Sequence, residues 1–141
     1  KQALLGAILI GVSERLLAGG ENVIADHSQP REQLLELVRF HVDFALRDAD
    51  VIRVQDRDLA SLSENDGAEV RRLQRTYIEL WMRVLASIHG DRSAADLRVR
   101  SQACFGLINS TSHSVRSVRG VPADAPVRDI LESMALAALL A

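Results

Sequence analysis

Side chains able to do chemistry are few and scattered in this sequence of 141 residues. Its four histidines are His27, His41, His89 and His113. They show neither the i, i+4 pair of a zinc-binding helix nor the Glu and His at i, i+3 of a di-iron bundle. Asp26 and His27 are adjacent and read as a solvated turn rather than a helical ligand pair. Cys104, the single cysteine, lies in an apolar stretch and has no internal disulfide partner, which fits a reducing compartment. No strand precedes a glycine-rich phosphate loop, and no spacing ties Ser, His and Asp into a triad. The expectation is therefore no catalytic residue, no metal site, no cofactor and no enzymatic activity.

Binding chemistry is better represented. His41 interrupts the apolar stripe of Leu34, Leu37, Val38 and Ala45, with Phe44 beside it. Either a hydrogen-bonded core histidine or a polar contact for a ligand fits that position. Tyr77 and Trp81 lie one helical turn apart, each an apolar body with one polar handle, and suit a core or a ligand equally. Gln102, Gly106, Asn109 and His113 form a polar stripe broken by one glycine, which either lines a pocket or stays partly solvated. The candidate ligand-binding set is His41, Phe44, Tyr77, Trp81, Asn109 and His113, and a mostly hydrophobic small molecule, with or without a polar or acidic end, is the expected ligand. Arg53, Asp56, Arg57 and Asp58 read as a charged surface of mixed sign.

The elements that must position these residues are helices. About half the residues are apolar (48%), enough for one core without disulfides or metals. The 17 basic and 19 acidic residues are interleaved and leave a net charge of -2, so no surface here has the positive potential that phosphate binding needs. Periodicity predicts about five or six helices and no sheet. The first should run from Gln2 to Ala18 and stop at Gly19 and Gly20, with a loop through Asp26. Pro30 opens a second helix that fades near Asp48, and Asp50 caps a short third one. Val70, Leu73, Tyr77, Leu80, Trp81, Val84 and Ile88 define a fourth from about Gly67 to His89. Ser93 should cap a fifth, which continues to about Val118 and ends at Gly120, Val121 and Pro122; Asp124 and Pro126 open the last.

The start of the chain, Lys1 followed by Leu4, Leu5, Ile8, Leu9, Ile10 and Val12, superficially resembles a secretory signal. Glu14 and Arg15 interrupt it, and the apolar run is shorter than the roughly 20 residues a bilayer requires. The chain opens on Lys and enters a helix without a cap, so a further segment is expected upstream, while the default address is cytoplasmic with no membrane contact.

The last two helices carry more apolar surface than one small core needs. Met134 to Ala141 contains no charge on any face. On the fifth helix Leu97, Cys104, Ile108 and Val115 share one face, while Val99, Ala103, Gly106 and Leu107 lie well round from it. An obligate homodimer follows as the expectation, these helices forming a four-helix bundle across a two-fold axis. Its interface is assigned to Leu97, Cys104, Ile108, Val115, Ile130, Leu131, Met134 and Ala138.

Lys1-Gln-Ala-Leu-Leu5 resembles the stretch that follows the recognition helix of TetR-type transcriptional regulators. Pro30 to Leu59, with Arg39-Phe-His-Val-Asp-Phe-Ala-Leu46 and Asp50-Val-Ile-Arg-Val54, is similar to their next two helices. Leu73-Gln-Arg-Thr-Tyr-Ile-Glu-Leu-Trp81 and Ala103-Cys-Phe-Gly-Leu-Ile-Asn109 resemble their long fourth helix and first dimerisation helix. The resemblance implies an all-α, effector-binding and dimerising domain spanning 1–141, which lacks the amino-terminal helix-turn-helix. It implies contact with operator DNA only through that missing head, and a small hydrophobic effector that changes the spacing of the heads and so relieves repression. The other reading of the same residues is a helical interaction module with a filled core and no pocket.

Overall fold

Apolar side chains recurring every three or four positions wind the chain into helices. A computed structural model describes the backbone of residues 1–114 and 124–141, and the side chains of 1–110 and 126–141. Among the described residues there are six α-helices and no strand: α1 (Gln2–Asp26), α2 (Pro30–Arg47), α3 (Ala49–Asp58), α4 (Glu64–Ile88), α5 (Ala94–Ser114) and α6 (Asp124–Leu140). A single 3-10 turn, Leu59–Ser61, joins α3 to α4. The expected bounds of α5 beyond Ser114 and its stop at Gly120, Val121 and Pro122 lie outside the described residues.

Local chemistry sets three of the helix starts. Pro30 occupies the first turn of α2, where its missing N–H costs nothing. The Ser63 hydroxyl accepts the Asp66 N–H at 3.1 Å, and that of Ser93 accepts the Asp96 N–H at 3.1 Å. The first of these caps moves the start of α4 ahead of the expected Gly67, into a run that reads as a turn. α3 begins at Ala49, so Asp50 sits in its first turn rather than capping it.

α1 departs furthest from expectation. It does not stop at Gly19 and Gly20 but continues to Asp26. The glycines serve packing instead. A Cβ on Gly19 would overlap the Phe40 ring of α2, and one on Gly20 would stand 2.7 Å from Leu80 Cδ2 and 3.1 Å from Tyr77 Cε1 of α4. At 25 residues α1 is also long and apolar enough to cross a bilayer, so the length argument against a span does not hold. In this fold its Leu9, Val12 and Ser13 are buried, and the helix packs on α4 and α2.

The main core lies where α2, α4, α5 and α6 meet, around Leu37, Val38, Trp81, Leu85, Ile108 and Leu139. A smaller cluster of Leu9, Leu62 and Val70 holds the start of α1 to α4. α6 packs on α2 and α5, and polar ties fix its register. Arg128 donates to Asp43 at 2.8 Å, the His89 Nε2–H donates to the Leu139 carbonyl at 2.8 Å, and Arg100 donates to the Ala141 carbonyl at 2.7 Å.

That packing corrects half of the expected interface. Leu97, Cys104, Ile108 and Leu131 are buried inside their own chain, so they form intrachain core and present no face to a partner. Val115 lies outside the described residues. The faces left open are the opposite ones: Ile130 and Met134 are 51% and 52% exposed and Ala138 is exposed on α6, while Val99 is 65% exposed on α5 beside exposed Ala103 and Gly106.

Candidate functional site

His41 projects from the middle of α2 into the junction of α2, α4 and α5, where it is 3% exposed. Its two ring nitrogens face one polar atom each: Nδ1 lies 3.0 Å from the Tyr77 hydroxyl and Nε2 lies 3.0 Å from Asn109 Oδ1. Burial pushes the imidazole down to about 4, against a smaller upward pull from the Asn109 hydrogen bond, so the ring is neutral at physiological pH. A neutral imidazole has one donor and one acceptor. Because the Asn109 oxygen accepts, Nε2–H donates to it, and Nδ1 accepts from the Tyr77 O–H. One directional chain, Tyr77 to His41 to Asn109, thereby links α4, α2 and α5. Burial raises the Tyr77 hydroxyl well above its ordinary value and keeps it a donor.

Aromatic rings enclose this chain. Phe105 stands 4.9 Å from the His41 ring centroid and stacks on Tyr77 at 5.5 Å, while Phe44 lies 6.0 Å from His41. Against them lies a cavity of about 200 Å³, reached by Ser13 and Leu16 of α1, Ile52 and Gln55 of α3, and Leu73 and Gln74 of α4. Ser13 donates to the Leu9 carbonyl of its own helix at 2.8 Å. The carboxamides of Gln55 and Gln74 are half-buried and make no side-chain hydrogen bond to any described residue. Asp56 stands on the exposed side of the lining and is already engaged in an interaction.

Four of the six candidate ligand-binding residues, His41, Phe44, Tyr77 and Asn109, thus converge on one cavity. Trp81 does not line it. The indole is wholly buried behind the cavity, edge-on to Phe105 at 4.9 Å and to His41 at 6.0 Å, and its Nε1–H has no hydrogen-bond partner among the described residues. His113 lies among the residues whose side chains are not described. Gln102 and Gly106 are exposed, and nothing stands within 4 Å of where a Gly106 Cβ would be, so that part of the polar stripe is off the cavity. Sequence reasoning passed over Phe105, Gln55 and Gln74. Their signal was spacing: Phe105 precedes Asn109 by one turn, Gln74 precedes Tyr77, and Gln55 follows Ile52.

No group of three or more His, Cys, Asp or Glu side chains capable of holding a metal occurs among the described residues. Cys104 is buried and its thiol is pushed up to about 12 by that burial, which keeps it protonated and unreactive. A wider groove of about 810 Å³ lies far from His41, between the start of α1 and α3. Its apolar lining is Leu5, Ile8, Leu9, Val51 and Val54, and the Arg57–Asp58 pair at 2.8 Å also lines it. Lys1, Gln2, Asp50 and Ser61 complete its polar lining.

Residues 27–113 match the family model described as "Tetracyclin repressor-like, C-terminal domain". Two solved structures share the fold. A TetR-family transcriptional regulator from Bordetella parapertussis 12822 superposes with a TM-score of 0.81 at 22% identity, covering 96% of this chain and 71% of that one. A bacterial regulatory protein in the tetR family from Rhodococcus RHA1 superposes with a TM-score of 0.80 at 18% identity, covering 98% of this chain and 73% of that one. No curated protein matches the sequence.

Proposed function

Because the chain belongs to the Tetracyclin repressor-like C-terminal domain family of transcriptional regulators, we propose that it is the effector-binding and dimerising part of a ligand-responsive regulator, acting in the control of DNA binding rather than in catalysis. The observation that carries this reading is the cavity beside Tyr77, His41 and Asn109, because it is touched by α1, α2, α3, α4 and α5 together. A molecule seated there shifts helices at both ends of the domain. α1 is the helix that leads towards DNA-reading helices preceding Lys1, and α5 presents one of the two open apolar faces. The groove between α1 and α3, with exposed Leu4 and Ile8 nearby, supports such a head by offering it an apolar seat.

The open faces of α5 and α6 support a homodimer. Ile130, Met134 and Ala138 on one helix, and Val99, Ala103 and Gly106 on the other, would pack on their symmetry mates as a four-helix bundle. The assembly then sets the distance between two heads, and operator recognition depends on that distance. Effector and operator oppose each other through a coupling free energy of about 1 to 3 kcal/mol, and the regulator acts as a cytoplasmic repressor.

Two measurements test this. Native mass spectrometry of the purified chain should give a dimer, and a retained small molecule would identify the effector directly. In the intact regulator, saturating effector should weaken operator binding by roughly five- to 150-fold. Unchanged operator affinity with the cavity occupied would refute the proposed mechanism.

A further inference from the structure

The cavity is specific about what it would accept. A cavity of about 150 Å³ lined by apolar side chains accommodates a benzene ring, so about 200 Å³ holds one ring and a short substituent. Drug-sized ligands, whose pockets run from about 300 Å³ upward, would project out of it. Leu16, Ile52, Leu73, Ile78 and Phe105 supply the apolar walls for that ring.

Apart from Asp56, the polar side chains of the lining are uncharged. His41 is neutral, Tyr77 is protonated, and its proton and that of His41 are committed along the chain to Asn109. No Lys or Arg lines the cavity among the described residues, and Asp56 is already engaged. Seating a carboxylate here would strip its water with no opposite charge among the lining residues, and an ammonium group would meet only the carboxylate of Asp56, which stands on the exposed side and is already engaged. The open valences belong to the carboxamides of Gln55 and Gln74, which face the cavity from α3 and α4. A carboxamide has both donors and acceptors, so it complements a group that both donates and accepts.

We propose that the ligand of this site is an uncharged molecule of a single ring bearing one hydroxyl or carboxamide group, read by Gln55 and Gln74 above the neutral Tyr77–His41–Asn109 chain. The assignment rests on the cavity being the effector site and narrows what enters it. It excludes the acidic end that a hydrophobic effector was expected to tolerate.

Four compounds of matched size separate the possibilities: benzamide, benzyl alcohol, benzoate and benzylamine, titrated against the purified chain at neutral pH by calorimetry and thermal shift. Benzamide and benzyl alcohol should bind at least tenfold tighter than the two ions. Gln55→Leu combined with Gln74→Leu, at half-buried positions that no described hydrogen bond depends on, should weaken benzamide at least tenfold and leave the far-UV spectrum and melting cooperativity intact. Ile78→Trp, which fills the cavity, should abolish binding. Benzoate or benzylamine binding as tightly as benzamide would overturn the class. If Ile78→Trp still abolished that binding, the effector site itself would stand. A response to none of the four would also overturn the class, and the site would then stand or fall on whether larger lipophilic compounds bind in a manner that Ile78→Trp abolishes.

Discussion

At His41, one buried ring has to remain neutral for the hydrogen bonds on both sides of it to keep their direction. That makes stability depend on pH. The unfolded imidazole titrates near 6.5 and the folded one near 4, so below pH 6.5 the unfolded state binds the proton first and stability falls. Above 6.5 the contribution is flat, and by pH 5 the loss should reach about 2 kcal/mol. Urea unfolding at pH 7.5 and pH 5.0 measures it. His41→Gln should be less stable at both values yet lose that part of the pH slope, and an identical slope in the variant would refute the assignment. Asn109→Leu removes the acceptor for Nε2–H and leaves a buried donor unmatched, for an expected loss of about 1 to 3 kcal/mol. From the sequence, His41, Tyr77 and Asn109 were readable as polar interruptions of apolar stripes, but their pairing was not. Nothing in linear spacing says that α4 and α5 bring Tyr77 and Asn109 each to 3.0 Å from His41 on α2.

Among the elements, α4 was the most legible and α1 the least. Positions 70, 73, 77, 80, 81 and 84 of α4 are all buried, as one apolar stripe requires. In α1 the pair Gly19 and Gly20 carries two meanings, since a glycine that ends a helix and one that admits a neighbouring helix look alike in sequence. Only the approach of Phe40, Leu80 and Tyr77 separates them. Two alanine substitutions in this helix should therefore differ in sign. Gly11→Ala meets only the Arg15 guanidinium at 3.5 Å and should stabilise by about 0.5 to 1 kcal/mol through helix propensity. Gly20→Ala should destabilise by about 1 to 3 kcal/mol through overpacking against α4. Thermal melts of both variants check this, and stabilisation by both would mean that α1 and α4 are not in close contact. α5 explains the misplaced interface. Apolar residues lie all round it, so the inward face is chosen by α2, α4 and α6 rather than by its own pattern, and the stripe assigned to a partner turned out to be core.

For the molecule as a whole, the open apolar faces of α5 and α6 are the main unbalanced feature of the surface. Placing a carboxylate at both Ile130 and Met134 would bury unpaired charge twice over at a two-fold interface. Ile130→Asp with Met134→Asp should weaken the proposed dimer by more than about hundredfold, or 2.8 kcal/mol, and sedimentation at micromolar concentration should then show a monomer with unchanged helicity. A dimer that survives both substitutions would place the interface elsewhere. Cys104→Ser, by contrast, alters only the intrachain core and should leave the oligomeric state unchanged.

The chain contains one tryptophan, and its indole is packed edge-on against Phe105 and His41, the same two rings that bound the cavity. All of the indole emission of this chain therefore originates one side chain away from the candidate site. The buried indole of Trp81 should emit at the blue end of its range, and a guest that displaces Phe105 or polarises the imidazole should change its intensity or wavelength. If the cavity takes the proposed ligand, the chain would be its own optical sensor, reporting occupancy in ordinary buffer without a dye, a label or a DNA partner.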